Sequence, residues 1–462
     1  MMSSSKPRFV NLESGLNKIN RRDALVTTGS SIFGMAGLPT ISNAEDSLRV
    51  GAEVVDLTAI KEAQSKGPSV EGISSKKSGG GGGGPMSKSI FSNKDPNPYL
   101  TIRGSGIKGK STSKIQRVGY SLYKTAPDVA ARCTALALRA GIKHFDVGTL
   151  YGSNTEIASP LKRYLDIGLE GVDYSNEKPE LLSFLDDTRA NGEKHALETV
   201  SAGLISTVVP APSGSIGRRR RREGLFIAHK LSNAEQSTKR VDVQRAVKAQ
   251  ISILGTQYLD MVSIHSPLTD RTRRLESYAA LLELRDAGLV KNVGVVNYGI
   301  GALTELKDYG LDLPSMNQLE LSPFNTHADI VQWCDSNNVA VGCGAWSKLS
   351  SASGPQDQWA VIAEIGKKKG MTKAQVLVRW SLQKGYVCVP RSAATSKVER
   401  IAIGENSYGG VNRNDGSCVL TEEEMNIIDS LNVDLKCGKL GRRDGWRDED
   451  VIGDDWEPTN FV

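Results

Sequence analysis

The sequence predicts a (β/α)8 TIM barrel, an α/β fold, and three observations carry that expectation. From Ile115 onward, short β-branched or aromatic runs alternate with stretches whose apolar residues recur at three- and four-residue spacing. Glycines close several of those stretches (Gly141, Gly255, Gly288, Gly310, Gly370 and Gly385), as left-handed helix ends do. Eight strand-then-helix units follow one another, which favours a closed parallel barrel over an open sheet. The intervening helices supply the right-handed crossovers that parallel strands need.

The first hundred residues read differently. Arg21 and Arg22 precede a mildly apolar run from Ala24 to Gly37, then Ser42, Asn43 and Ala44 offer small residues where a peptidase cuts. Residues 1–44 thus resemble a twin-arginine export signal, which implies a thylakoid lumen or another such compartment; the alternative is a transit-like tail on a cytoplasmic protein. The apolar run is too short and too rich in Gly, Ser and Thr for a stable membrane span. Residues 45–100 are polar and contain six consecutive glycines, Gly79 to Gly84. Such a run buries too little apolar surface to offset its ordering entropy, so a disordered linker is expected.

The barrel is expected over 101–435, with strands at Arg117–Tyr123, Ile142–Val147, Leu225–Lys230, Tyr258–His265, Val290–Val296, Ser315–Leu321, Ala340–Trp346 and Tyr386–Pro390. Helices are expected at Asp128–Ala140, up to Leu165, Asp242–Leu254, Arg274–Ala287, Ile300–Tyr309, Ala328–Asn337, Trp359–Lys369 and Thr372–Lys384. Between the second helix and the third strand lie about 60 residues, against about 2–6 for an ordinary connection. This insert, 166–224, carries Gly, Pro and Ser clusters and the run Arg218 to Arg222, and reads as a solvated, flexible excursion or as a patch for an acidic partner or an anion. Thr421 followed by three glutamates predicts a capped final helix. A polar tail, 436–462, carries Trp446, Trp456 and Phe461.

The net charge is +6, and the run Arg218 to Arg222 supplies five of those charges. The remainder is close to neutral, which excludes the diffuse basic surface of a nucleic-acid binder. The six cysteines are scattered with no Cys-x-x-Cys and no Cys/His ligand spacing, so neither a structural zinc nor a disulfide framework is expected.

Polar residues at the C-terminal ends of barrel strands are the candidates for chemistry. Asp146 ends the second strand in Gly141–Gly152, with Tyr151 five residues on. Lys230 ends the third strand and His265 the fourth. A charged Asp after Ile142 to Phe145 is poorly placed in a buried strand unless it marks the end where chemistry happens. This set resembles the aldo-keto reductase signature. The resemblance implies Tyr151 as proton donor, Lys230 and Asp146 as its activating pair, and His265 orienting the carbonyl. Hydride delivery puts negative charge on oxygen, so a proton donor with cationic or polar neighbours must face it. A phenol, with an ordinary pKa near ~10, needs a neighbour that favours the phenolate, and Lys230 is the expected one.

The resemblance continues through Gly294–Tyr298, Asn317–Glu320, Ala345–Ser351 and Val389–Ser392. It implies that Asn297 and Gln318 hold a nicotinamide carboxamide, with Val296 standing where the family has Ser. Trp346 would stack on the ring, and Ser347, Leu349 and Ser351 would line the pyrophosphate loop. Arg391, Ser392, Arg400, Glu405 and Asn406 would read the adenosine end, and bidentate arginine favours NADPH over NADH. The implied activity is reversible reduction of aldehydes or ketones by a monomeric barrel acting on a small carbonyl or sugar, with no nucleic-acid partner and no metal. Alternatives are an NADP-dependent aldose dehydrogenase and a non-catalytic nucleotide-binding subunit resembling potassium-channel β subunits. Two other patterns do not extend. Tyr120 and Lys124 reproduce a Tyr-x-x-x-Lys spacing without a preceding Gly-rich turn, and Gly299 and Gly301 lack the third glycine of a dinucleotide fingerprint.

Overall fold

The computed structural model describes residues 99–103, 112–123, 125–199, 214–267, 270–344, 356–390 and 418–433. The export-like start, most of the linker and the tail from Lys436 lie outside the described residues. Eight parallel strands form the sheet: β3 (Tyr120–Ser121), β4 (His144–Gly148), β5 (Phe226–Leu231), β6 (Leu259–Ile264), β7 (Val290–Val296), β8 (Met316–Leu319), β9 (Ala340–Cys343) and β10 (Val387–Cys388). They pair in sequence order, and the first and last meet. Gly119 N donates to Cys388 O (2.8 Å), Ser121 N to Pro390 O (3.1 Å) and Cys388 N to Arg117 O (2.7 Å). The eight expected strands all overlap these, although β3 and β10 are much shorter than their apolar runs. The six glycines expected at helix ends all adopt positive φ. Thr421 caps the helix Glu422–Asp429, its Oγ1 accepting from Glu424 N (3.2 Å).

A hairpin precedes the barrel that the sequence reading had assigned partly to the linker. β1 (Tyr99–Arg103) pairs antiparallel with β2 (Thr112–Gln116). Ile102 and Ile115 are buried against Phe226, Ala228, Met261, Met316 and Val387, residues in the first half of the barrel strands. The hairpin therefore closes the N-terminal end of the barrel, leaving chemistry to the opposite rim.

The described part of the long connection contains helices. Helices run over Pro179–Thr199 and Gly214–Glu223. The five-arginine run lies on the second, with Arg219 and Arg220 exposed, as a solvated segment would have them, and Arg221 and Arg222 buried. Arg221 Nε and Nη2 donate to Leu165 O (2.8 Å) and Asp166 O (2.6 Å), satisfying carbonyls at the C-terminus of the helix Asn154–Asp166. Arg222 is buried, donates to Asp260 Oδ2 (2.8 Å) and Tyr258 O (2.7 Å), and stacks over the Tyr258 ring at 3.7 Å. Arg218 pairs with Asp166, and Arg219 with Glu223 (2.9 Å). Helix geometry explains the division, because 221 and 222 face the barrel while 219 and 220 face solvent.

Two histidines are fully buried on the barrel strands, His144 on the interior face against Phe226 and His229 on the opposite face of β5. The His144 ring lies where a Cβ on Gly119 would come within 2.4 Å, so only glycine fits there. Burial pushes His144 down to about 4, against the pull of Asp146, and pushes His229 down to about 3 with help from the Lys230 ammonium. Among the described residues, five cysteines are buried and free, no helix is long and apolar enough to cross a membrane, and no group of three His, Cys, Asp or Glu side chains is placed to hold a metal.

Arg222→Ala leaves the buried Asp260 carboxylate without its guanidinium and is expected to cost about 3–5 kcal/mol of folding stability, read from urea midpoints. Arg219→Ala is the exposed control and leaves the midpoint in place. A second expectation concerns acid. The unfolded chain protonates both histidines near the ordinary value of 6.5, the folded chain only near 4 and 3. Below pH 6.5 the unfolded state binds more protons, so stability falls as pH drops from about 6.5 towards 4. Ordinary carboxylates stay ionised between about pH 7 and pH 5, so a falling urea midpoint in that window reports the histidines. Their ring signals in NMR should not move over the same range.

Candidate active site

Asp146, Tyr151 and Lys230 converge at the C-terminal rim of β4 and β5. The parallel register sets Asp146 beside Ala228 and Gly148 beside Lys230. Residues 228 and 230 share a face with Phe226, whose neighbours are the barrel interior, so the lysine points inward. After Gly148 the chain makes a three-residue turn, Thr149–Tyr151, closed by Gly152 at φ 73°, a left-handed position that suits glycine. That turn brings the Tyr151 ring back over the strand end. A Cβ on Gly148 would sit 3.3 Å from the ring and 3.4 Å from the Lys230 Cβ.

The polar atoms form one connected group. Tyr151 Oη donates to Asp146 Oδ2 (3.0 Å), and Lys230 Nζ donates to Tyr151 Oη (2.9 Å) and to Asp146 Oδ1. Ser121 Oγ, from β3, donates to Asp146 Oδ2 (2.8 Å) while accepting from Tyr123 N (3.3 Å). Sequence reasoning passed over Ser121. Its only local signal is a hydroxyl at the end of the first barrel strand, and its partner is 25 residues away. His265 follows β6, is half-buried, and its ring lies edge-on to Tyr151 at 6.2 Å between centroids. Tyr123 packs edge-on against Tyr151 from the first strand's side at 5.2 Å. All four residues expected at the strand ends therefore share one rim.

The electrostatics differ from the simplest expectation. Burial first, and then the Asp146 carboxylate, push the Tyr151 phenol well above its ordinary value. The Lys230 ammonium does not reverse this, because burial lowers the ammonium itself while Asp146 opposes that fall. Tyr151 is thus a neutral phenol at neutral pH, which is the form that holds a proton to give.

The nicotinamide side can be tested on Asn297 and Gln318. Asn297 follows β7 at φ 58°, and its N donates to Gln318 O (2.9 Å). Its Oδ1 accepts from Glu320 N (2.9 Å), which leaves its amide to serve as a donor. Gln318, half-buried on β8, lies against Gly342 and Gly344; a Cβ on Gly344 would stand 2.9 Å from Gln318 Nε2. The two glycines make room for the Gln318 side chain, and the pair of carboxamides on Asn297 and Gln318 fits a ligand bearing its own carboxamide. Val296 is buried and offers no hydroxyl. Trp346, Ser347, Leu349, Ser351, Arg391, Ser392, Arg400, Glu405 and Asn406 lie outside the described residues.

Comparison with known proteins agrees with this geometry. The model of the aldo/keto reductase family matches residues 212–433. The uncharacterized oxidoreductase YtbE of Bacillus subtilis is 31% identical over 217 residues, 47% of this chain and 71% of its own length. Methylglyoxal reductase DkgA of Salmonella typhimurium is 27% identical over 280 residues, covering 59% of this chain and 88% of the relative. Among solved structures, a Bombyx mori aldo-keto reductase in complex with NADP superposes with a TM-score of 0.54 at 20% identity, over 75% of this chain and 97% of that one. Barrel, rim and relatives agree: the chain belongs to the aldo-keto reductase family and is an oxidoreductase.

Proposed function

We propose that this protein reduces small aldehydes and ketones to alcohols with NADPH, reversibly, using Tyr151 as proton donor. The observation that carries the reading is the Tyr151 hydroxyl, held at once by Lys230 Nζ (2.9 Å) and Asp146 Oδ2 (3.0 Å) beside His265 at the C-terminal rim. NADPH, when bound, supplies the hydride. Asn297 and Gln318 are the described residues that would hold its carboxamide. The preference for NADPH over NADH draws on Arg391 and Arg400, whose guanidinium groups suit a 2′-phosphate.

The chain's own residues account for the proton. As negative charge builds on the carbonyl oxygen, the neutral Tyr151 phenol is the nearest acid, and its hydrogen bond to Lys230 stabilises the phenolate left behind. Asp146 keeps Lys230 in place and offsets the cost of burying an ammonium. Ser121 occupies a further lone pair of Asp146 Oδ2. His265, edge-on to the Tyr151 ring at 6.2 Å, is the imidazole assigned to hydrogen-bond the carbonyl. The small-carbonyl assignment draws on relatives such as the methylglyoxal reductase DkgA.

Loss of NADPH absorbance should be measured with a panel of aldehydes that includes methylglyoxal, and NADP+ reduction with aldoses. Turnover of aldehydes is expected. Turnover of aldoses alone would replace this reading with a sugar dehydrogenase, and none in either direction would favour a binding subunit. Tyr151→Phe should lower kcat by roughly 10²–10⁴-fold with little change in NADPH affinity. A Phe variant at parental rate would overturn the role given to Tyr151.

A further inference from the structure

The turn that carries Tyr151 is not part of the sheet. Within it, the backbone tie is Gly152 N to Thr149 O at 3.2 Å, and short turns of this kind have poor hydrogen-bond geometry. Yet the position of Tyr151 relative to Lys230 decides whether the two can act together. A second network, separate from the Asp146 group, spans the same two loops. Thr149 Oγ1 donates to Glu235 Oε1 (2.8 Å). Glu235 Oε2 accepts from Ser232 N (2.8 Å) and from Ser232 Oγ (2.8 Å). Ser232 stands two residues after Lys230, and Thr149 two before Tyr151. A single carboxylate thus joins the loop behind the phenol to the loop behind the ammonium. His229 Nε2 lies 3.5 Å from Thr149 Oγ1 on the side facing the outer helices.

From this geometry we infer that Thr149 and Glu235 are positioning residues, a clamp that sets the spacing between the Tyr151 hydroxyl and the Lys230 ammonium and thereby the rate of turnover. The inference rests on the proposed role of Tyr151 as proton donor. Neither residue touches the reacting atoms. The clamp lies beside β4 and β5, whereas the carboxamide pair sits on β7 and β8, so nucleotide grip should be independent of it. A bond that merely tied down loops would loosen binding and turnover together.

The test uses the full chain, NADPH and methylglyoxal, with kcat and KM from steady-state rates and NADPH affinity from equilibrium fluorescence titration. Thr149→Val removes the hydroxyl at nearly constant volume, and Glu235→Ala removes the acceptor. Each is expected to lower kcat roughly tenfold to a hundredfold, since displacements near 1 Å have that effect. KM and NADPH affinity should stay within about twofold of the parent. Thr149→Ser, which keeps the hydroxyl, should restore near-parental kcat, and the double variant should fall no further than the worse single one because both cut the same link. Parental kcat in Thr149→Val, equal damage in Thr149→Ser, or NADPH affinity lost in step with kcat would each overturn the clamp. Tyr151→Phe separates the two levels. If it is inactive while Thr149→Val is fully active, the clamp alone is wrong; if it is fully active, the functional reading falls and the clamp with it.

Discussion

A carboxylate and an ammonium, their side chains 3% and 5% exposed, sit in contact at one end of the barrel. Removing either charge from water carries a penalty of several kcal/mol, and neither could remain ionised there alone. Asp146 and Lys230 are tolerable only as a pair whose remaining lone pairs and protons find partners. The Tyr151 hydroxyl and Ser121 Oγ complete that set. The rest of the rim follows from this requirement. β4 and β5 must be neighbours in one register, the turn after β4 must fold back over the strand end, and β3 must pair with β4 to bring in Ser121.

Closure of the barrel meets those conditions. Parallel pairing sets Gly148 beside Lys230, and the period of two along a strand turns Lys230 to the interior with Phe226 and Ala228. The hairpin of β1 and β2 fills the opposite end with Ile102 and Ile115, so that face is packed rather than open. Among the described residues, the end opposite the hairpin is the one that gathers a carboxylate, an ammonium and a phenol. The neutral state of the phenol comes from the same enclosure. Burial and Asp146 act in one direction on Tyr151, and they outweigh an ammonium that burial has itself weakened.

The arginine run shows how little a local charge pattern says about its use. Five consecutive arginines look alike in sequence, but a helix turns them about 100° at a time, so consecutive residues meet different surroundings. Arg221 ends up on the free carbonyls of another helix, Arg222 on a buried aspartate and the face of Tyr258, and Arg219 on the helix's own Glu223. The partners of Arg221 and Arg222 lie on segments that only the folded chain brings together.

What the linear text determined was what repeats or breaks a repeat. The alternation of short β-branched runs with helical periods, punctuated by glycines that adopt positive φ, was enough to anticipate eight parallel strands. Asp146, Lys230 and His265 stood out because each ends an apolar run with a group that a core would reject. Ser121, Glu235 and Thr149 gave no such contrast. Serine, threonine and glutamate near strand ends are ordinary loop chemistry, and the Ser232-x-x-Glu235 spacing is a common turn pattern. The hairpin was hidden because Leu100, Ile102 and Ile115 are too few apolar residues to stand out beside a polar linker. The Ser121–Asp146 and Thr149–Glu235 contacts join residues 25 and 86 positions apart, and no periodicity encodes a distance of that kind. Tertiary closure alone decided which ordinary polar side chains would face Asp146 and which would hold the two loops together.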